Sequence, residues 1–399
     1  MSTRQRSNRK SLFRLSLLRD ARFLRVAGQV LAVLLLVLAV IILWDNLTYN
    51  LRQLGIQLGF DFLQSQASFD IGETLIPYSA SDSFGQAIIV GLINSLRVMA
   101  LGLILATILG LIIGIARLST NWLLRQLALV YVEIFRNTPL LLQLFFWYFA
   151  VFLRLPSVEN RITLPGQSYL TGRGAYLPWL SATAGTQLWV VLLAIGIVGA
   201  IAFRRWRTHI MVEQGRTENL LLWTLGPLVA ASLISLILTQ TVPFNLNLPQ
   251  VIAEGTQIQG GLRLSPEFGT LLLGLVAYTA SFIAEIVRSG IQSVPIGQTE
   301  AARALGLKPG RVMQMVILPQ ALRVIIPPLT SQYLNLAKNS SLAVAIGFPD
   351  VYFVASTTFN QTGRAVEVMM IIMVTYLTIS LTISLLMNQY NRTVQLKQR

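Results

Sequence analysis

Cysteine is absent from the 399 residues, histidine occurs once, and charged residues make up 12% of the chain. The absence of cysteine excludes disulfides, thiol catalysis and cysteine-ligated metals. Soluble domains usually carry about a quarter charged residues, whereas 54% of this chain is hydrophobic. Such a chain cannot bury its apolar surface in one core, so the composition indicates a protein that lies in lipid.

Catalytic motifs are also absent. The sequence contains no Gly-x-x-x-x-Gly-Lys-Ser/Thr loop for nucleotide phosphates, no His-Glu-x-x-His and no serine nucleophile elbow. We therefore expect this chain to be no enzyme, to hold no cofactor or metal, and to take its energy from partner proteins or an ion gradient.

Eight apolar runs lie along the chain, each near or above the ~20 residues that cross a bilayer. They must be helical, because a lone strand in lipid leaves its backbone groups unpaired. The runs lie at 26–44, 87–115, 130–153, 187–203, 219–240, 268–288, 322–345 and 366–388. The fourth is short, and Pro327, Pro328, Lys338 and Asn339 interrupt the seventh. The sequence predicts an all-α polytopic membrane protein with about eight transmembrane helices.

Acidic residues are scarce beside basic ones, and the net charge is +15. This charge would suit nucleic-acid binding, but the basic residues flank apolar runs and indicate membrane orientation instead. If the N-terminus is inside, 22 of the 31 Lys and Arg residues fall in inside segments and 6 in outside loops. We expect both termini in the cytoplasm and no nucleic-acid partner.

The first part of the chain divides into three segments. Residues 1–25 form a basic cytoplasmic leader, and 26–44 form a first span that is longer than the core of a signal peptide. Residues 45–86 form a periplasmic loop, which is rich in aromatic and acidic residues. We expect this loop to fold against the outer mouth of the bundle.

The loop at 295–319, between spans six and seven, carries helix signals. Gln298 or Thr299 can begin a short helix, with Glu300 in its first turn, where the helix dipole favours an anion. Gly306 suits the left-handed residue that ends a helix, and Pro309 suits the start of the next one. Small apolar side chains cover the helix, namely Ala301, Ala302, Ala304 and Leu305. We expect a short, rigid helix that another protein approaches closely.

The same loop resembles the EAA loop of binding-protein-dependent ABC importer permeases. It has Glu300-Ala-Ala, Gly306 and the final Leu318-Pro319 at that loop's spacing, with Val316 where isoleucine is usual. An ordinary surface helix would explain this stretch alone, but not its flanks. Residues 132–143 and 278–290 resemble the polar amino-acid branch of these permeases, and residues 69–79 and 91–98 resemble its general L-amino acid subgroup. The similarity covers most of residues 60–390.

The resemblance implies a permease domain at 87–390, with extra helices and loops inserted at 154–267. It implies a bacterial inner-membrane subunit that moves L-amino acids of the polar or general range. Its implied partners are a cytoplasmic ABC ATPase dimer, which binds ATP and Mg, a periplasmic amino-acid-binding protein and a second permease, either a paralogue or a second copy. The implied ATPase-coupling residues are Glu300, Ala301, Ala302, Gly306, Leu318 and Pro319. The alternative function is a secondary transporter or channel without an ATPase.

Polar residues inside the spans are the candidate substrate pathway, because ionisable groups in a membrane are costly. Arg97 suits a substrate carboxylate, or else packs against a neighbouring helix or reaches towards water. Lys338, Asn339 and Ser340 lie near the pathway or a dimer seam, or else form a loop at the outer end. Asn94 and Gln143 complete the candidate pathway.

Two acid–base pairs have the three-residue spacing of neighbours on a helix face. They are Glu133 with Arg136 and Glu285 with Arg288. We interpret them as structural or gating ion pairs.

Overall fold

The computed structural model describes residues 21–53, 59–214, 220–252 and 255–394. The leader lies outside the described residues up to residue 20. Twelve α-helices lie within the described ranges: α1 Ala21–Gln53, α2 Phe84–Ala116, α3 Trp122–Asn137, α4 Leu140–Phe145, α5 Thr186–Gln214, α6 Leu220–Thr239, α7 Pro266–Gln292, α8 Ile296–Ala304, α9 Pro309–Val312, α10 Leu318–Asn339, α11 Val351–Thr362 and α12 Ala365–Val394.

Six helical segments of the described ranges are long and apolar enough to cross a membrane. They are Gly28–Asn50, Phe84–Ala116, Thr186–Thr208, Pro266–Gln292, Pro309–Ile346 and Ala365–Val394. A bent helix pair gives a seventh, and α6 contributes a shorter apolar stretch, Leu225–Thr239. The chain is therefore a multi-pass helical membrane protein, while the number eight stays a prediction.

Helices α2 and α7 run parallel and in close contact through small residues. A Cβ atom at Gly110 would lie 2.6 Å from Ile283, and one at Gly114 would lie 2.8 Å from Val287. Both helices begin with a serine N-cap. The hydroxyl of Ser83 accepts from the backbone N–H of Gln86, and the hydroxyl of Ser265 accepts from that of Phe268. Small residues of this kind let membrane helices pack closely.

Helix α10 runs antiparallel to α2 and α7. Gly102 of α2 faces Leu336, and Gly290 of α7 faces Ile325. Pro327 and Pro328 lie inside the helix and do not end it, so the prediction that they break the seventh span is wrong. The α-helix ends at Asn339, and a 3₁₀ segment continues it over Ser340–Ile346.

The predicted third span, 130–153, is not one straight helix. Helix α3 ends at Asn137, and the chain turns by 105° before Leu140–Arg154 continues as α4 with π and 3₁₀ turns. Pro139 follows Thr138 at the bend, where the residue before a proline is disfavoured in helix. The fourth span is longer than predicted, because α5 extends from Thr186 to Gln214.

The chain is mostly helical as predicted, but short strands lie in the inserted region, which the all-α prediction did not include. Eight of them lie in the described ranges: β1 Ile162–Leu164, β2 Ser168–Thr171, β3 Gly174–Leu177, β4 Trp179–Ala182, β5 Phe244–Asn247, β6 Gln250–Ile252, β7 Gln257–Gln259 and β8 Leu262–Leu264. Antiparallel pairing joins them into a sheet of order β1-β2-β3-β8 and two ribbons, β4-β5 and β6-β7. Strands from before and after α5–α6 pair with each other, so this helical hairpin emerges from a strand ribbon.

The predicted outer loop is shorter than 45–86, because α1 extends to Gln53 and α2 begins at Phe84. Its described part packs against the bundle through an aromatic cluster. Phe62 and Phe84 are buried there with Val354 of α11 and Val368 of α12, and Phe69 and Tyr78 pack against them. The loop therefore covers one end of the bundle, which we call the mouth end. The opposite end, which carries α8, is the docking end.

Candidate functional site

Helix α8 lies at the docking end and is bounded by local signals. It begins at Ile296 after Pro295, so Glu300 lies in the second turn and the predicted start at Gln298 or Thr299 is wrong. It ends as predicted, because Gly306 has a φ of +79°. The N–H groups of Gly306 and Leu307 donate to the carbonyls of Arg303 (2.8 Å) and Ala302 (3.2 Å). This pattern satisfies the last carbonyls of the helix and fixes the exit of the chain.

The outer face of α8 is exposed. Leu305 is 83% exposed and Ile296 is 75% exposed, and Glu300 and Ala301 are also at the surface. Ala302 is buried at 4% exposure, so its side chain faces its own chain and not an open surface. These apolar side chains are open to a protein contact, and the contact itself stays a prediction.

Helix α8 is joined to the bundle by nearly continuous helix. Pro309 occupies the first turn of α9, and π-helical turns over Met313–Ile317 lead into α10. Leu318 and Pro319 are the first two residues of α10 and are exposed. The chain that leaves α8 therefore continues into a segment, Pro309–Ile346, that is long and apolar enough to cross a membrane.

An ion cluster lies where α2 ends, beside the last two turns of α7. The Glu285 carboxylate pairs with Arg288 at 2.5 Å, and it also pairs with Arg117 at the end of α2. The cluster thus ties α2 to α7 in a partly exposed setting, where the stabilisation by each pair is modest. A structural or gating role for Glu285 and Arg288 stays a prediction.

Glu133 and Arg136 form no ion pair with each other, although both are in the described part of the chain. Glu133 accepts a hydrogen bond of 2.7 Å from Asn137 Nδ2. The Arg136 guanidinium lies 5.5 Å from the centroid of the Phe282 ring on α7. The predicted pair is wrong because each side chain has a competing partner at hand.

Arg97 lies at the mouth end and is held by Glu73 of the outer loop. Its Nη1 donates to Glu73 Oε1 at 2.6 Å, and its Cζ lies 4.0 Å from the centroid of the Phe268 ring on α7. The side chains of Arg97 and Glu73 are 13% and 11% exposed. Ser265 Oγ donates to the other carboxylate oxygen of Glu73. One carboxylate therefore bridges α2 and the first residue before α7.

The side chain of Asn94 binds the backbone of the same loop. Its Nδ2 donates to the carbonyls of Glu73 (2.8 Å) and Pro349 (3.0 Å), and the residue is fully buried. Its Oδ1 is buried without a hydrogen-bond partner among the described residues. Asp350 follows Pro349, and burial raises the pKa of its carboxyl to about 7. Among the described contacts, the carboxylate that pairs with Arg97 is that of Glu73.

The remaining candidate pathway residues are dispersed. Gln143 Nε2 donates to the carbonyls of Phe135 and Thr138 and so spans the α3–α4 bend. Ser340 is buried and donates to Ala337, whereas Lys338 is exposed and Asn339 is half-buried at the end of α10. Their role in a pathway stays a prediction.

Sequence reasoning missed Glu73 as a site residue. The sequence did contain a signal for an acidic partner, because Arg97 lies inside an apolar helix and needs a counter-charge. The loop that follows α2 contains no acidic residue. Glu73 lies in the preceding loop, 24 residues from Arg97 in sequence. Sequence alone could not choose it from the other acidic residues there.

Comparison with known proteins places this architecture. Residues 219–395 match the family model described as "Binding-protein-dependent transport system inner membrane component". The chain is 42% identical to the general L-amino acid transport system permease protein AapQ of Rhizobium johnstonii, over 95% of this chain and 94% of that protein. It is also 42% identical to the glutamate/glutamine/aspartate/asparagine transport system permease protein BztB of Rhodobacter capsulatus, over 98% of each. A crystal structure of an amino acid ABC transporter with histidines gives a TM-score of 0.46 at 22% identity, over 78% of this chain and 95% of that one.

Proposed function

We propose a function that starts from the family of this chain, which belongs to the inner-membrane components of binding-protein-dependent transport systems. The chain is the permease subunit of an ABC importer that carries L-amino acids across the inner membrane. Hydrolysis of ATP, bound with Mg on a partner subunit, drives the passage. The chain itself supplies the route and the mechanical connection to that partner.

The observation that carries this proposal is the exposed helix α8 and its connection to α10. Leu305 and Ile296 present apolar surface that a cleft in an ATPase subunit would bury. The capped exit at Gly306 keeps α8 in one orientation. Movement of the ATPase would then displace α10, and with it the packing against α2 and α7. Such a change between two packed arrangements alternates access to the route.

The orientation we propose puts the docking end in the cytoplasm. If the bent α3–α4 pair and α6 each cross once, the described helices make eight crossings, so that α1 begins and α12 ends on the same side. The excess of Lys and Arg in the segments that the sequence assigns to the inside supports the cytoplasmic assignment. The loop with Glu73 and the strands of the insert then face the periplasm.

The partners we propose are an ATPase dimer, a periplasmic amino-acid-binding protein and a second permease. The ATPase dimer supplies two clefts, one for each permease. A paralogous permease or a second copy of this chain would complete the pathway. The relatives' names support L-amino acids as cargo, with a general range for one and a range of acidic and amide amino acids for the other.

Uptake by reconstituted complexes tests this function. Proteoliposomes with all subunits are expected to accumulate labelled L-glutamate or L-glutamine when ATP is enclosed. Omission of the ATPase is expected to abolish accumulation. Equal accumulation without the ATPase would instead identify a secondary transporter or channel and would overturn the proposal.

A further inference from the structure

We infer that Glu73 and Arg97 form a receptor for the zwitterionic backbone of an α-amino acid, held closed by their mutual ion pair. Glu73 would bind the ammonium group of the cargo, and Arg97 would bind its carboxylate. This inference rests on the proposed function and adds the chemistry by which the mouth end recognises its cargo.

The first step is the charge state of Arg97. Its guanidinium already has a carboxylate at 2.6 Å and an aromatic face at 4.0 Å. A second carboxylate alone would leave an excess negative charge in a poorly hydrated place, which is costly. A cargo carboxylate can therefore bind Arg97 only if Glu73 is displaced or receives a cation in exchange.

The second step is that an amino acid brings that cation. Its ammonium and carboxylate lie close together, so insertion between Glu73 and Arg97 replaces one ion pair by two. The net charge of the site is the same before and after insertion. A ligand with only one of the two charges lacks this balance. The site therefore recognises the ammonium and carboxylate groups of an amino acid and not its side chain. That property suits a general range of L-amino acids.

The third step is access and unused hydrogen-bonding capacity. The side chains of Arg97 and Glu73 are 13% and 11% exposed, so both keep some contact with solvent. In the described part of the chain, Arg97 donates one hydrogen bond, from Nη1. Asn94, one turn earlier on α2, has a buried Oδ1 without a partner. The guanidinium N–H groups of Arg97 are thus available for a carboxylate, whereas the Asn94 amide oxygen is enclosed.

The fourth step is what opening would move. Glu73 holds the outer loop to α2 through Arg97 and to the N-cap of α7 through Ser265. Insertion of a zwitterion would lengthen these connections at the mouth end, while Asn94 still holds the backbone carbonyl of Glu73. The part of the outer loop around the Glu73 side chain would therefore move, while the loop backbone stays bound to α2.

The test is direct binding of three probes to the assembled complex without the binding protein. The probes are L-alanine, L-alaninamide, which lacks the carboxylate, and propionate, which lacks the ammonium. We expect the wild-type complex to bind L-alanine best. Glu73→Gln should weaken L-alanine about tenfold and strengthen propionate, because Arg97 is then unneutralised. Arg97→Gln should weaken L-alanine similarly and strengthen L-alaninamide.

The matched control is Asp70→Asn, an exposed acidic residue in the same loop, which should leave all three affinities unchanged. If a single variant fails to assemble, the reversed pair Glu73→Arg with Arg97→Glu should restore assembly. Parallel changes for all three probes, no change, or no L-alanine binding to the wild type would overturn the inference. ATP-dependent uptake by the wild type tests the proposed function separately, so a complex that transports but lacks the selectivity exchange refutes this inference alone.

Discussion

Helices α7 and α1 are both apolar enough to cross a membrane, yet they are packed in opposite ways. Within the most apolar stretch of α7, 61% of the residues are buried by the rest of the chain, compared with 11% in α5 and none in α1. Helix α7 contacts α2, α10 and α4 through buried small residues, whereas the described side chains of α1 are largely exposed. Helices that all qualify as membrane spans therefore have two roles: α7 holds the bundle together, and α1 and α5 depend on lipid or partners.

The largest effect is expected from a change that fills the α2–α7 contact. Gly110→Val would force a side chain against Ile283 and the Ala280 carbonyl, and overpacking of this kind costs about 1–3 kcal/mol or more. We expect loss of assembled complex, measured by size-exclusion chromatography and thermal stability. Gly199→Val in α5 is the control, because no atom lies within 4 Å of its added Cβ. Equal damage from both variants would remove the distinction between the two regions.

The next effect is on coupling and not on assembly. Gly306→Ala places a Cβ on a residue with φ of +79°, which costs about 1–2 kcal/mol in the left-handed conformation. We expect a misdirected α8 and a several-fold loss of ATP-driven uptake, with normal amounts of folded permease. Gly310→Ala is the control, because that glycine is helical and nothing lies near its added Cβ. Unchanged uptake with Gly306→Ala would contradict a positioning role for the turn.

A smaller effect is expected at the α3–α4 bend. Gln143→Leu removes hydrogen bonds from Nε2 to the carbonyls of Phe135 and Thr138, which lack helix partners there. Loss of buried hydrogen bonds costs about 1–3 kcal/mol, so the melting temperature should fall moderately. Gln361→Leu, at an exposed position of α11, should leave it unchanged. A stability equal to wild type would show that the bend does not need the amide.

The smallest effect is expected from removal of α5–α6. Ala182 and Phe244 pair across the β4-β5 ribbon, so an Asn-Gly turn in place of residues 183–243 would close it as a tight hairpin. We expect the shortened chain to assemble and retain most of its ATP-driven uptake in proteoliposomes. Loss of assembly would show that this helical hairpin belongs to the packed bundle.

Local features were predictable from the sequence, and distant ones were not. Gly306 and Pro309 have their expected conformations because the cap and the helix start depend on neighbouring residues. The strands escaped prediction because each has three or four residues, too few for a clear alternation. Glu285 and Arg288 form the predicted ion pair, whereas Glu133 and Arg136 do not, although the spacing is equal. Asn137 binds Glu133 instead, and Arg136 lies over the ring of Phe282. The Glu73–Arg97 contact depends on how the loop folds back.

The central claim is that α8 binds the ATPase, and site-specific crosslinking tests it most directly. The natural absence of cysteine means that Leu305→Cys introduces a single reactive thiol on an exposed residue directly after the C-terminal end of α8. We expect this variant to crosslink to the ATPase subunit in the assembled complex, and Ala302→Cys, whose position is buried, to crosslink much less. No crosslink from position 305, or an equal yield from a cysteine at Gly199 in α5, would contradict the account.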